Sequence, residues 1–258
     1  MCKILERKKN GIILTKEGNE LYRTGLKLEK CIASAEKELV KVINKKIALQ
    51  IGASSTIGNY ILPAIHHKIN DNLGKEVIIS IDKSEELINE LLEKKIDIAI
   101  IEEPVFKDEI YSREWLDDEI VMFSSQTLPK TVKPEDMDKY NWVCREPQSH
   151  TRKLAMDALE SAGIDCGSFL DNRNVLSGAT AIKQTVLKDS KNGAPVTSMI
   201  SKFLIEDEVN AKQLFIAKIK GCNICRKFYI AYLKENKHDA IVMNTVNFLM
   251  KQKVELSI

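Results

Sequence analysis

The segment Ile96-Asp97-Ile98-Ala99-Ile100-Ile101 is apolar on nearly both faces of a strand. A strand of that kind has to be covered on both sides. It belongs to a series, since Ile47–Gly52 and Val77–Ile81 read as strands, while 57–69 and Glu85–Lys94, the latter capped by Ser84, read as helices. Such alternation predicts a buried parallel sheet built from βαβ units. A longer strand, 111–123, follows. Gln126–Tyr140, with Pro129 and Pro134, is polar and suits a passage between lobes. The pattern then restarts. Trp142–Arg145, 173–176, 194–200, Leu214–Ile219 and Lys227–Leu233 read as strands, with helices at Thr151–Ala162, 178–188 and Ala240–Gln252. A chain of 258 residues with 44% hydrophobic side chains can fill one large or two small cores. The expected architecture is two α/β lobes joined by crossing strands.

The N-terminal part has a different texture. Lys8-Lys9-Asn10-Gly11 is a basic turn between Ile4-Leu5 and Ile12-Ile13-Leu14, because Asn-Gly accepts the positive φ angles of a tight hairpin. Thr15 reads as a helix N-cap, with Glu17 in the first turn. From there to about Asn44, Leu21, Gly25, Leu28, Ile32, Ala35, Leu39 and Val42 recur at spacings of four and three. That is a heptad seam, the pattern by which two helices pack side by side. A helix of about 28 residues spans roughly 42 Å, more than one small lobe covers. Residues 1–46 carry 12 Lys/Arg and 6 Asp/Glu, a net of +6, against −4 for the rest. Charge alone fits either polyanion contact or a solvated Lys-rich helix.

Several function classes are excluded or disfavoured. No run approaches the roughly 20 apolar residues of a membrane span. The sequence Met1–Lys9 has no apolar run before a small-residue cleavage site, so no secretory signal is expected. The six cysteines, at 2, 31, 144, 166, 222 and 225, are too scattered for a disulfide framework, which points to the cytoplasm. Cys222-Asn223-Ile224-Cys225 is at most half a zinc site and is read as an incidental thiol pair. His66 and His67, adjacent on a helix, are poor co-ligands. His150 beside Ser149 lacks a nucleophile elbow. No phosphate loop or dinucleotide fingerprint occurs, so no cofactor, no metal and no catalytic residue is expected.

Two segments share a design that suits binding. Strand 47–52 runs into Ala53-Ser54-Ser55-Thr56 and a helix. Strand 142–145 runs into Glu146-Pro147-Gln148-Ser149-His150-Thr151-Arg152 and a helix. Hydroxyls and free backbone N–H groups collect where a strand ends and a helix begins, which favours an anion. The carboxyl ends of parallel strands are also where open α/β sheets bind ligands. Ordinary capping by Ser and Thr is the competing explanation for each segment alone. Ser177-Gly178-Ala179-Thr180 opens a third helix in the same way.

Leu5-Glu6-Arg7 followed by Ile13-Leu14-Thr15-Lys16-Glu17-Gly18 resembles the stretch that ends the winged helix-turn-helix of LysR-type transcriptional regulators. Ile51–Pro63, Ile96–Pro104, Arg145–Arg152 and Ala181-Ile182-Lys183-Gln184 are similar to further landmarks of that family, in the same order. The loop Lys188–Gly193 departs from the family's short glycine turn there. The resemblance implies an α/β, two-lobed effector domain like the type II periplasmic binding proteins, preceded by a dimerisation helix. It implies residues 1–15 as the wing of a DNA-binding domain, 16–46 as the linker helix and 47–258 as the effector-binding domain. Within the last, lobe I is 47–123 with 227–258, and lobe II is 124–226. The recognition helix lies outside this sequence, so the chain by itself is expected not to read operator sequence. Lys8 and Lys9 are the expected DNA-backbone contacts, and Leu21, Leu28, Ile32 and Leu39 the seam of a homodimer or homotetramer. A small anion or carboxylate effector is expected among Ser54, Ser55, Thr56, Glu102, Arg145, Ser149, His150, Thr151, Ser177 and Thr180, with Arg152 as a further charged donor. Glu102 and Glu103 oppose an anion if they turn inward. The rival function is a solute-binding protein without a DNA role.

Overall fold

A computed structural model describes residues 3–8, 11–43, 49–73, 76–167, 174–190 and 192–252. The chain opens with β1 (Leu5–Lys8) and β2 (Gly11–Leu14), an antiparallel pair with Lys8 opposite Gly11, and continues into α1 (Lys16–Ile43). Thr15 caps this helix as expected, its Oγ1 accepting from Gly18 N at 2.9 Å while donating to the Lys3 carbonyl at 2.7 Å. Gly18 is required here. A Cβ on it would lie 2.1 Å from the Ile4 carbonyl oxygen, so only glycine lets the hairpin lie against the helix. Along α1, Leu21, Leu28 and Ile32 are exposed, whereas the Lys8 and Leu39 side chains and Lys9 lie outside the described residues.

The body begins at β3 (Leu49–Ala53), followed by a π-helical turn, Ile57–Ile61, and α2 (Leu62–Leu73). Then come β4 (Val77–Ile81), α3 (Ser84–Leu92), β5 (Ile98–Ile101) and the long strand β6 (Ile110–Ser124). Lys83, not Ser84, holds the cap position of α3, and Ser84 is its first residue. Next are β7 (Thr131–Val132), a 3-10 turn at Pro134–Lys139, β8 (Asn141–Trp142), β9 (Cys144–Arg145) and α4 (His150–Ser161). The remainder is β10 (Val175–Leu176), α5 (Ala179–Leu187), β11 (Val196–Ser201), α6 (Glu206–Asn210), β12 (Phe215–Ile219), β13 (Cys225–Leu233) and α7 (Ala240–Lys251).

The predicted parallel pairing holds for β4, β3 and β5, but β13 joins the same sheet antiparallel to β5, and β6 pairs antiparallel with β13. Those two strands connect the halves of the molecule. β6 pairs with β13 as far as Glu119 and with β11 from Ile120 onward. Apolar residues cluster on both faces of each half. Ile51, Ile98, Trp115 and Phe228 belong to the first half, Met122, Trp142, Leu159 and Ile200 to the second. Trp115 Nε1 donates to the Leu249 carbonyl at 2.7 Å, which pins α7 to the first half.

Two local expectations are corrected. Residues 126–140 are not a passage between lobes, because Leu128, Val132 and Met137 are buried in the second core. Their polar neighbours face water, and composition reported only those. Trp142–Arg145 is not one strand. Its first part pairs with β11 and its second with β10, so the backbone changes partner after Trp142.

Candidate functional site

Three carboxyl ends converge between the halves: β3 leading to Ser54, β5 leading to Glu102, and the loop after β9 leading to α4. The crossing strand β13 adds Arg226. Ser54 is buried, and its Oγ donates to Glu102 Oε1 at 2.9 Å. Thr56 is buried as well, and its hydroxyl favours the charged form of the Glu102 carboxylate. Arg226 Nη1 donates to Glu102 Oε2 from the other side, and the same nitrogen reaches Thr151 Oγ1 at 3.2 Å. Thus one guanidinium bridges the first half, through Glu102, to the first turn of α4 in the second. Arg226 is itself fixed by Asp118, Nε to Oδ2 being 2.7 Å, and Asp118 by the Ser201 hydroxyl at 2.7 Å. The Phe228 ring lies 5.1 Å from the guanidinium carbon. Arg226 Nη2 is buried and has no hydrogen-bond partner.

These contacts set the charge states. Burial pushes the Glu102 carboxyl up, but the Arg226 charge and the Thr56 and Ser54 hydroxyls outweigh it, leaving Glu102 below the usual carboxylate range. Asp118 goes the other way, because burial, with the Glu102 charge adding to it, outweighs Arg226 and Ser201. His150 Nδ1 lies 3.1 Å from Glu103 Oε1, a second contact between the halves. Burial nevertheless depresses its pKa, with Arg226 adding to the effect against Glu103. A third contact is the hydrogen bond of 2.8 Å between Tyr60 Oη and Thr180 Oγ1, with Lys183 Nζ 4.8 Å from the Tyr60 ring centre.

Of the residues singled out from sequence, Ser54, Thr56, Glu102, His150 and Thr151 gather at this bridge. Others are placed elsewhere. Ser55 is exposed, one residue round the helical turn from its neighbours, and its carbonyl accepts from Asn59. Arg145 is not directed to the bridge. It forms a two-point ion pair with Glu146, both bonds 2.9 Å, since an adjacent carboxylate satisfies the guanidinium fork locally. Arg152 Nη1 is bound to the Arg145 carbonyl at 2.7 Å, so it too is engaged within the second half. Ser149 caps α4, accepting from Arg152 N at 3.4 Å. Ser177 is exposed ahead of α5, whose cap is Gly178 at φ +90°.

Arg226 and Asp118 are absent from the sequence reading. A signal existed: Arg226 alternates with buried Phe228 and Ile230, and Asp118 with buried Leu116 and Ile120, so each stands on an inward strand face. Charged residues at inward positions are seldom buried unless paired. The Cys222 and Cys225 thiols are free. Among the described residues no group of His, Cys, Asp or Glu is arranged to hold a metal, and no helix is long and apolar enough to cross a membrane.

Comparison with known proteins gives the family. The model of the LysR substrate binding domain matches residues 46–253. An uncharacterized HTH-type transcriptional regulator, YeiE of Escherichia coli (strain K12), is 31% identical over 215 residues, spanning 82% of this chain and 69% of that protein. The CcmR regulatory domain of Synechocystis PCC6803, solved in complex with 2-PG, superposes with a TM-score of 0.63 at 19% identity, over 81% of this chain and 98% of that one. An H2O2-bound OxyR mutant of Corynebacterium glutamicum gives 0.63 at 15% identity, over 99% and 82%. The fold is therefore the two-lobed, type II periplasmic-binding-protein-like one of LysR regulatory domains, and the relatives favour a regulator over a solute carrier. With its family model covering most of its length and a regulator at this level of identity, the chain belongs to the LysR-type transcriptional regulators.

Proposed function

We propose that the cleft crossed by Arg226 binds a small anionic effector, a carboxylate or an oxyanion, and so sets the angle between two lobes. The observation that carries this reading is the Arg226 guanidinium, bonded at once to Glu102 in one half and Thr151 in the other. A ligand that competes for or adds to those bonds favours one inter-lobe arrangement over another. Ser54, Thr56, Thr151 and the first turn of α4 supply the remaining donors. We take the lobes to meet where β6 and β13 change partner, with lobe I at 49–119 and 225–252 and lobe II at 120–224, near but not at the boundaries expected from sequence. The CcmR complex with 2-PG supports a small ligand in a domain of this shape.

In this reading α1 joins two copies through Leu21, Leu28, Ile32 and Leu39, and carries the change in lobe angle to a DNA-binding end in the cytoplasm. Lys8 and Lys9 touch phosphates there, giving binding that fades as salt rises. The test is thermal shift and calorimetry with inorganic oxyanions, small organic acids, amines and neutral polyols, on the wild type and on Thr56→Ala. Stabilisation by an anion, weakened by Thr56→Ala, is the expected result. Stabilisation by an amine or a neutral compound alone would overturn the anionic reading, and Glu103, half-exposed at the cleft, is the group that would favour an amine.

A further inference from the structure

We propose that Glu102 is a tethered competitor of the effector: its carboxylate holds the position an effector's acidic group takes, so the cleft selects small anions able to replace a carboxylate. This rests on the cleft reading above and adds to it the group with which the ligand competes.

The donors are those a free carboxylate would choose. Ser54 Oγ comes from a strand end and Arg226 Nη1 from a crossing strand, and both meet on one carboxylate, with the buried hydroxyl of Thr56 at a first helical turn favouring its charged form. The two sides of this contact differ in how firmly they are held. Arg226 is anchored by Asp118, by Ser201 behind it and by the Phe228 ring. Glu102 sits just past the end of β5, outside the ladder, and its backbone N–H has only a long contact of 3.5 Å to Ser84 Oγ. Its side chain can therefore turn out by rotation about single bonds, breaking no strand pairing. The donors stay where they are while the acceptor is exchangeable.

A second observation points to a ligand with more oxygens than Glu102 presents. Glu102 uses Nη1 of Arg226, whereas Nη2 is buried without a partner. A buried donor left unsatisfied is unfavourable relative to a satisfied one. An oxyanion spanning Nη1 and Nη2 would satisfy both. Exchange of Glu102 for a monoanion such as acetate also leaves the charge beside Arg226 unchanged, while a cationic ligand would have to bind against Glu102 and would depend on it. An internal carboxylate that occupies the site most of the time weakens the apparent affinity by the fraction of time the site is clear.

The experiment uses the full 258-residue chain as wild type, Glu102→Ala and Glu102→Gln. Thermal shift and calorimetry are run with sodium acetate and sodium sulfate, and with acetamide and sodium chloride as controls at matched ionic strength. Glu102→Ala should be stabilised saturably by acetate and sulfate at concentrations about tenfold or more below those the wild type needs, and not by acetamide. Glu102→Gln keeps the shape, removes the charge, and should also bind sulfate more tightly; it carries the comparison if the alanine variant fails to fold by circular dichroism. Adding Thr56→Ala to Glu102→Ala should abolish the acetate response. Equal anion midpoints in wild type and variants would overturn the competitor role while leaving the cleft reading standing. Loss of a wild-type response in Glu102→Gln, or a response untouched by Thr56→Ala, would overturn it as well, the first by making Glu102 a ligand contact and the second by placing the anion elsewhere. No anion response in any of the three proteins would reduce Glu102 to a structural partner of Arg226.

Discussion

Arg226 and Asp118 stand directly opposite each other in the antiparallel pairing of β13 and β6, and their side chains close that register with an Nε–Oδ2 bond of 2.7 Å. The pair lies one residue before β6 leaves β13 for β11. A charge pair with side chains only 3% and 0% exposed thus marks the place where the two halves join. Such a pair is weak evidence of net stability, because desolvation opposes the attraction. Its value here is placement: it fixes where the guanidinium can reach.

Breaking that pair from one side should be severe. Arg226→Met leaves Asp118 and Glu102 as buried carboxylates without a cation, and is expected to destabilise by about 3–5 kcal/mol in urea unfolding. Arg226→Lys keeps the charge but cannot donate to Asp118, Glu102 and Thr151 at once, so its loss should be smaller. If Arg226→Met unfolds at the wild-type midpoint, the bridge contributes nothing.

Acidification should weaken the fold in two stages. Burial holds His150 below the usual 6.5, so the unfolded chain binds this proton first as pH falls. Its contribution is present above pH 6.5 and is lost as pH drops through the lowered folded value. Glu102, held below 4.5, behaves likewise from that pH downward. Asp118, raised above 3.8, has the opposite sign and regains stability on protonation. In pH-dependent thermal melts, His150→Asn should remove the first stage and leave the second.

The exposed stripe on α1 should govern assembly. Leu21, Leu28 and Ile32 are 55%, 59% and 59% exposed on one chain, an apolar row with no cover of its own. Leu28→Glu with Ile32→Glu is expected to reduce the mass seen by light scattering. An unchanged mass would place the contact elsewhere.

Two glycines should respond differently to an added methyl group. At Gly52, in β3, a Cβ would lie 2.6 Å from Leu87 Cδ2 and 2.7 Å from Ile96 Cδ1, both in the buried core. Gly52→Ala should destabilise by about 1–3 kcal/mol through overpacking. At Gly58 the close atoms belong to Ile81, which is 45% exposed and can move. Its alanine variant should lose less in the same denaturation series.

The elements of the fold were legible because each rests on a local rule. The cap at Thr15, the spacing along α1 and the apolar runs at Val77–Ile81 and Ile98–Ile101 are all readable within a few residues. Half of the bridge was legible for the same reason, since Ser54, Thr56 and Thr151 stand where strands turn into helices. Arg145 misled because a neighbouring carboxylate, Glu146, captured it. Leu128, Val132 and Met137 were hidden inside a polar stretch whose average concealed three inward side chains.

By itself the sequence determined the long amphipathic helix, the α/β alternation and the family landmarks, because periodicity and capping act over short chain distances. Only the tertiary structure decided that Glu102 turns inward and meets Arg226, 124 residues further along the chain. That contact depends on β13 pairing with both β5 and β6. No pattern local to either residue encodes it, since which charges share a buried site is settled by which strands become neighbours.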